Sequence, residues 1–256
     1  MKFTFLGTGT SHGIPMIGCS CGVCTSTDPR NKRRRSSLYV VTEHKHIVID
    51  TPPDFRDQVL SFGVKRVDAV FLTHPHADHI YGFDDVRRFS SMQEEHIPVY
   101  GQPRTIKQMR KKFDYVDRIS YGFESVPRVL FTGMNQSVYL DEVRITPLPV
   151  SHGMDQIYGY LFEGDEKKLA YIPDCNGIPK ETFQYLENLD VMILDGLRPD
   201  PHPTHFSINE CVDHLCKINA KQSFITHLTH HSDHHDLQEQ LGDVVTVPWD
   251  GLEIEL

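Results

Sequence analysis

The sequence predicts an α/β protein. Short apolar runs of strand length recur along the chain, stretches of helical composition stand between many of them, and several runs end on a histidine or an aspartate. At 256 residues the chain is long enough for one large α/β domain or two small ones, and for a substantial core. No apolar run is long enough to span a membrane. The run Phe3–Leu6, ended by Gly7 and Gly9, is too short for a signal-peptide core, so a cytoplasmic protein is expected. A net charge of −9 argues against a basic nucleic-acid surface. Histidine is the outlier: its 16 copies cluster in a few motifs and point to metal chemistry.

Taken in order, Phe3–Leu6 reads as a strand running into the turn Gly7-Thr8-Gly9-Thr10. This is no dinucleotide loop, because the G-x-G-x-x-G spacing and its following helix are missing. The glycines are read as letting backbone pass close to a neighbouring site. Cys19, Cys21 and Cys24 follow. Their closeness and odd number disfavour disulfides, and three thiolates of a closed tetrahedral zinc site, completed from elsewhere, are preferred to free thiols. Cys175, Cys211 and Cys216 read as small buried residues. The basic run Lys32–Arg35 reads as a solvated loop. Leu38–Val41 and His46–Asp50 form a strand pair about the turn Thr42–Lys45. Asp50, at a strand end, is expected to hydrogen-bond a metal-ligating imidazole. Asp54 is expected to cap a helix reaching Ser61.

Asp68–Leu72 has the composition of a buried strand, and Thr73-His74-Pro75-His76-Ala77-Asp78-His79 leaves it at once. Pro75 predicts a loop, which can aim ligands in several directions, as two neighbouring metal ions require. A metal-free surface cluster is the alternative. Phe83–Ser90 and Thr105–Lys112 read as helices and Ile97–Tyr100 as a strand, while residues 113–137 form a polar surface excursion that shapes a substrate mouth. In the second half, Val143–Val150 leads to His152, and Ile157–Phe162 is a further strand. Lys168–Ile172 leads to Asp174, Val191–Leu194 to Asp195 and Gln222–Thr226 to His227, with helices over Pro179–Leu189 and Ser207–Ile218. One such residue at a strand end is ordinary. Four are what a shared site rim requires.

On these residues the chain resembles the metallo-β-lactamase superfamily, whose H-x-H-x-D-H signature stands here as His74, His76, Asp78 and His79, followed in the family's order by His152, Asp174 and His227. The resemblance spans nearly the whole chain and implies a single four-layer αββα domain over residues 1–256, with metals at the common edge of two facing sheets. It implies His74, His76 and His152 on one divalent ion, Asp78, His79 and His227 on a second, and Asp174 bridging. Cys19, Cys21, Cys24 and the segment Pro201–His205 further resemble the phosphoribosyl cyclic phosphodiesterase (PhnP) family. There, three N-terminal cysteines and a late histidine hold a separate structural zinc, and the matching histidine is His230. His205 matches that family's general acid. His202 either assists at the phosphate or is a loop histidine, and this region departs from close relatives outside the histidine. His231, His234 and His235 match no role and are left as surface or supporting histidines. A homodimer is a further family expectation.

The resemblance implies a metal-dependent phosphodiesterase hydrolysing small cyclic or diester phosphates. Two active-site ions, manganese or zinc, share and activate a hydroxide and clamp a phosphate oxygen, Asp78 holds or deprotonates the attacking water, and His205 protonates the leaving alkoxide. A thioesterase of the glyoxalase II type usually adds a helical C-terminal domain, and little chain follows His227. A flavodiiron oxidoreductase carries glutamate where His76 stands, and a β-lactamase fits a cytoplasmic chain poorly. An RNA-processing nuclease adds a substrate arm that is not evident here, so nucleic acid is not the expected substrate. A catalytically silent biosynthetic accessory protein is disfavoured by retention of all seven metal ligands.

Overall fold

A computed structural model describes residues 1–117, 126–164 and 166–256. Its strands are Lys2–Gly7 (β1), Ser37–Val41 (β2), His46–Ile49 (β3), Ala69–Leu72 (β4), Ile97–Gly101 (β5), Val129–Gly133 (β6), Val138–Leu140 (β7), Val143–His152 (β8), Asp155–Gly164 (β9), Lys167–Ile172 (β10), Val191–Asp195 (β11), Gln222–Thr226 (β12) and Glu253–Glu255 (β13). The α-helices are Gly22–Thr25 (α1), Phe55–Ser61 (α2), Ala77–Ile80 (α3), Val86–Gln93 (α4), Pro103–Lys112 (α5), Lys180–Phe183 (α6), Ile208–Ile218 (α7) and His234–Leu241 (α8). One sheet runs β13-β1-β2-β3-β4-β5-β6 and the other β12-β11-β10-β9-β8-β7.

The central strands are apolar on both faces because both faces are covered. In β3 and β4, Ile47, Ile49, Ala69 and Phe71 point between the sheets, where they meet Tyr160, Phe162, Tyr171, Ile193 and Phe224 from the second sheet. Their neighbours Val48, Val70 and Leu72 point the other way, into a cluster with Phe55, Phe89 and Met109 from α2, α4 and α5. Met192, Leu194 and Ile225 likewise face Ile208, Cys211 and Leu215 of α7. The result is the four-layer αββα sandwich of the metallo-β-lactamase fold. Each fully buried large side chain contributes roughly 1.5–3 kcal/mol. Strand direction then places the site. β3 and β4 are parallel, β8 and β10 are both antiparallel to β9, and β10, β11 and β12 are parallel. Within each sheet, the strands that deliver Asp50 and His74, and those that deliver His152, Asp174, Asp195 and His227, therefore end at one rim.

Several local expectations are corrected. Asp78 and His79 sit on the helical turn α3, not in a loop, because Pro75 is followed by four residues free to coil. The predicted helix Phe83–Ser90 is a 3₁₀ turn, Phe83–Asp85, followed by α4. Pro179–Leu189 shortens to α6 and the 3₁₀ turn Gln184–Leu186. Asp54 stands at the helix start but does not cap it, since its carboxylate accepts from the Arg35 backbone N–H at 2.9 Å and from Arg35 Nη1 at 2.9 and 3.0 Å. The basic run is not solvated throughout: Arg33 is buried, with Nη1 donating to Thr8 Oγ1 at 2.7 Å and to the Pro248 carbonyl at 2.6 Å. Cys175 and Cys211 are buried, but Cys216 is exposed. Part of the predicted excursion is sheet, as β6 pairs with β5, and residues 118–125 lie outside the described residues. Gly7 and Gly9 do permit a close approach: a Cβ on Gly7 would lie 2.0 Å from the Arg35 carbonyl oxygen.

Candidate metal centre

Seven side chains leave the strand ends and converge. His74 and His76 flank Pro75 in the extended stretch after β4, and α3 adds Asp78 and His79. His152 closes β8, Asp174 follows β10 and His227 follows β12. His227 and Asp50 adopt left-handed backbone, with φ of 63° and 62°, which turns each side chain out of its strand direction and towards the rim. Donor atoms of His74, His76 and His152 lie within 4.8 Å of one another, as do those of Asp78, His79 and His227. Asp174 stands between the groups: one oxygen is 3.6 Å from His74 Nε2 and 3.3 Å from His79 Nε2, and the other is 3.2 Å from His227 Nε2. The sequence-predicted ligands are all brought together.

Two imidazoles are pre-aimed. His79 Nδ1–H donates to Asp50 Oδ2 at 2.7 Å, and His152 Nδ1–H donates to the Thr204 carbonyl at 2.9 Å, leaving each Nε2 for the centre. Asp50 is held in turn by the Thr73 N–H and hydroxyl, both at 2.8 Å. Polar satisfaction supplies the fit test for a metal. His79 Nε2, Asp174 Oδ1 and His227 Nε2, which face the centre, are buried without a hydrogen-bond partner. Such orphans each cost roughly 1–3 kcal/mol unless a cation takes them up. The mixed imidazole and carboxylate donor set suits zinc or manganese. The local field agrees. Although burial disfavours its charge, Asp174 is held well below the usual carboxylate range by His227 and His79. Burial likewise opposes a charge on His79, but Asp174, Asp78 and Asp50 hold it well above the ordinary histidine value, an excess of negative charge that a cation at Nε2 would neutralise in place of the proton. His152 is pulled down to about 4, chiefly by burial, which keeps its ring neutral as ligation requires.

Beside this cluster stands His205. Its Nδ1–H donates at 2.7 Å to Asp195 Oδ2, an oxygen that also accepts the Cys175 N–H at 2.8 Å. Its ring stacks on His227 at 4.8 Å and meets His152 edge-on at 4.8 Å. Burial works against its protonation, but Asp195 outweighs it and raises His205 to about 9. His202 lies one ring further out, 5.2 Å from His205, with Nδ1 accepting from the Thr204 hydroxyl at 3.1 Å. Sequence reasoning saw Asp195 only as one more strand-end carboxylate and missed it as the partner of His205. Its signal was its position at the end of β11, but the pairing depends on how the intervening loop folds back.

A second donor group sits apart. Cys19, Cys21, Cys24 and His230 bring their ligand atoms within 4.8 Å of one another. His230 Nδ1 is 3.4 Å from Cys19 Sγ and 3.3 Å from Cys21 Sγ. Cys21 caps α1, accepting the Cys24 N–H, and this bond together with His230 lowers its thiol to about 6. A thiolate-prone Cys₃His set of this kind suits zinc. His234 is buried against Arg33, while His235 meets Asp28 at 3.1 Å on the surface.

Two facing sheets with outer helices and a His/Asp centre at their rim define a metal-dependent hydrolase of the metallo-β-lactamase class. Residues 45–228 match the beta-lactamase superfamily domain. The crystal structure of a new diphosphatase from the PhnP family is 37% identical, with a TM-score of 0.92, covering 100% of this chain and 96% of that one. An octanoyltransferase of Porphyromonas gingivalis is 34% identical over 99% of this chain, which spans only 51% of that protein's length. Zn(2+)-bound PqqB from Methylobacterium extorquens, 18% identical with a TM-score of 0.84 and 100% coverage of both chains, shares the fold. The chain belongs to the metallo-β-lactamase superfamily and, within it, to the PhnP family.

Proposed function

We propose that residues 1–256 act as one domain that hydrolyses small phosphodiesters, cyclic or linear, at this rim. His74, His76 and His152 would hold one divalent ion, Asp78, His79 and His227 a second, and Asp174 both. Such ions supply water activation and charge neutralisation at a phosphate. The chain's own groups do the rest. Asp78, the most open of the carboxylates in this centre, orients the attacking water and takes its proton. His205, protonated and backed by Asp195, gives a proton from Nε2 to the departing oxygen. Asp50 and the Thr204 carbonyl hold His79 and His152 in the tautomer that presents Nε2 to the centre. Cys19, Cys21, Cys24 and His230 would hold a structural zinc.

The observation that carries this reading is the placement of His205, bonded to a buried carboxylate and in ring contact with a candidate ligand of each ion. A hydrolase needing no leaving-group proton gains nothing from that dyad. That the relative at 37% identity is a diphosphatase supports phosphate chemistry. A second reading, a thioesterase acting alongside octanoyl transfer, has the name of the P. gingivalis relative in its favour. One screen separates them. Protein reconstituted with Mn²⁺ or Zn²⁺ is offered bis-p-nitrophenyl phosphate, a cyclic nucleotide, an inorganic diphosphate, an octanoyl thioester and a β-lactam, with Asp174→Ala as the control. Diester turnover lost in the control is expected. Thioester turnover alone would overturn the phosphodiesterase reading.

A further inference from the structure

The segment that carries His205 is fastened by side chains. Pro201 and Pro203 remove two backbone donors from it. Among the described residues, no backbone–backbone hydrogen bond joins residues 201–205 to the rest of the chain. Such bonds resume at the flanks, where the Leu197 N–H donates to the Phe206 carbonyl at 2.9 Å and the Phe206 N–H to the Cys175 carbonyl at 2.7 Å. Between the flanks, the Pro201 carbonyl accepts from Arg198 Nη2 at 3.1 Å, the Pro203 carbonyl from Asn176 Nδ2 at 2.8 Å, and the Thr204 carbonyl from His152 Nδ1 at 2.9 Å. Arg198 belongs to the same loop, so its bond shapes the loop without tying it to anything else. His152 is a candidate ligand. Asn176 is the remaining anchor.

Asn176 reaches in two directions. Its Oδ1 accepts the Gly153 N–H at 3.1 Å, in the turn that follows His152, while Nδ2 holds Pro203. Its own backbone is fixed to the end of β8: the Asn176 N–H donates to the Ser151 carbonyl and the Ser151 N–H to the Gly177 carbonyl, both at 2.9 Å. One amide therefore joins the turn after His152, the strand end that carries Asp174, and the loop that carries His205. The loop lies flush against that turn, since a Cβ on Gly153 would stand 2.9 Å from Thr204 Cγ2. A primary amide offers an acceptor and donors on one short side chain, which a carboxylate of the same size does not. Asp195 fixes the His205 ring at Nδ1, but a single bond to the ring leaves the backbone beneath it free to swing; a second anchor is needed to define where Nε2 points. We propose that Asn176 is a positioning residue for leaving-group protonation, holding the Pro203 carbonyl so that His205 Nε2 stands over the centre. The inference rests on the phosphodiesterase reading and adds to it a residue that acts through the loop.

The test compares the metal-loaded wild type with Asn176→Ala and Asn176→Asp, each also made together with His205→Ala. Asn176→Asp keeps the acceptor for the Gly153 N–H but sets an oxygen against the Pro203 carbonyl, so it breaks the bond to the loop without loss of volume. One neutral hydrogen bond corresponds to about two- to tenfold in rate. The kcat on a cyclic nucleotide should fall by about that factor more than the kcat on bis-p-nitrophenyl phosphate, whose phenolate leaves unaided. In the His205→Ala background the same changes at Asn176 should affect both substrates equally, because the selective loss passes through His205. Metal content is measured for each variant, and altered loading cancels in the ratio between substrates. Equal losses on the two substrates in the presence of His205, or a selective loss that persists without it, overturns the positioning role and leaves the phosphodiesterase reading intact. If no diester is turned over, or His205→Ala does not separate the substrates, that reading fails and proton NMR decides the position of the loop by itself. The His205 Nδ1–H bonded to Asp195 is identified by the downfield resonance lost in His205→Ala, and Asn176→Asp should broaden it through faster exchange with water. A resonance as sharp as that of the wild type overturns the proposal.

Discussion

Replacing Asp195 by Asn tests the acid side of the site with little change of shape. The carboxylate is buried, and one of its oxygens accepts both the His205 Nδ1–H and the Cys175 N–H. An asparagine oxygen in that place keeps both acceptor contacts but no charge. Hydrogen bonds to ionised groups contribute about 1.5–3 kcal/mol and neutral ones about 0.5–1.5, so stabilisation of the His205 imidazolium falls by about 1–1.5 kcal/mol. That corresponds to roughly tenfold in rate for a step that needs the proton. The new amide nitrogen takes the place of Asp195 Oδ1, which already lacks a partner in the wild type, so the stability of the fold should change little beyond the weaker bond to His205. The assay is kcat/KM on a cyclic nucleotide, whose leaving alkoxide must be protonated, against bis-p-nitrophenyl phosphate, whose phenolate leaves unaided. The cyclic substrate should lose about ten times more than the aryl diester. Equal losses on the two, at a temperature where the variant is folded, would refute the proton-donor role of His205 and reduce Asp195 to a structural group.

Cys21→Ser should remove one zinc per chain by elemental analysis and lower the thermal transition, while the ions of the His/Asp centre stay bound; unchanged metal content would remove the Cys₃His site from consideration. Asp190 joins the starts of β10 and β11, accepting the Lys168 N–H at 2.9 Å and Lys221 Nζ at 2.8 Å. Burial opposes its ionisation, but these two partners hold it below the usual carboxylate value. Its folded value is the depressed one, so its contribution is present above the unfolded aspartate value near pH 4 and disappears as pH falls through the folded value. Asp190→Asn should therefore cost about 1 kcal/mol at neutral pH in urea unfolding, and the gap to wild type should close in acid; a gap independent of pH would assign the loss to packing.

What the sequence made legible follows from how local each signal is. His74 to His79 announce themselves because four donors crowd one short segment after an apolar strand. The single ligands His152, Asp174 and His227 were readable as strand-end residues, since a strand buried on both faces is an apolar run and its end is sharp. Pairings across long stretches of chain were not. The role of Asp195 depends on a loop folding back, and the burial of Arg33 depends on Thr8 and Pro248, which the chain brings together from its two ends. A run of four basic residues carries no hint that its second member is a core residue. The strand β13 was missed because Glu253–Glu255 has alternating charge and pairs only at an edge.

The left-handed backbone at Asp50 and His227 sets stability against chemistry. A residue other than glycine held in that region costs of order 1–3 kcal/mol. Glycine would adopt the same turn without that penalty, at the loss of the side chain. At both positions the chain therefore carries a group that a search for thermal stability alone would discard. Engineering that ranks substitutions at this rim by melting temperature would accordingly tend to select variants that fold well and no longer present their donors.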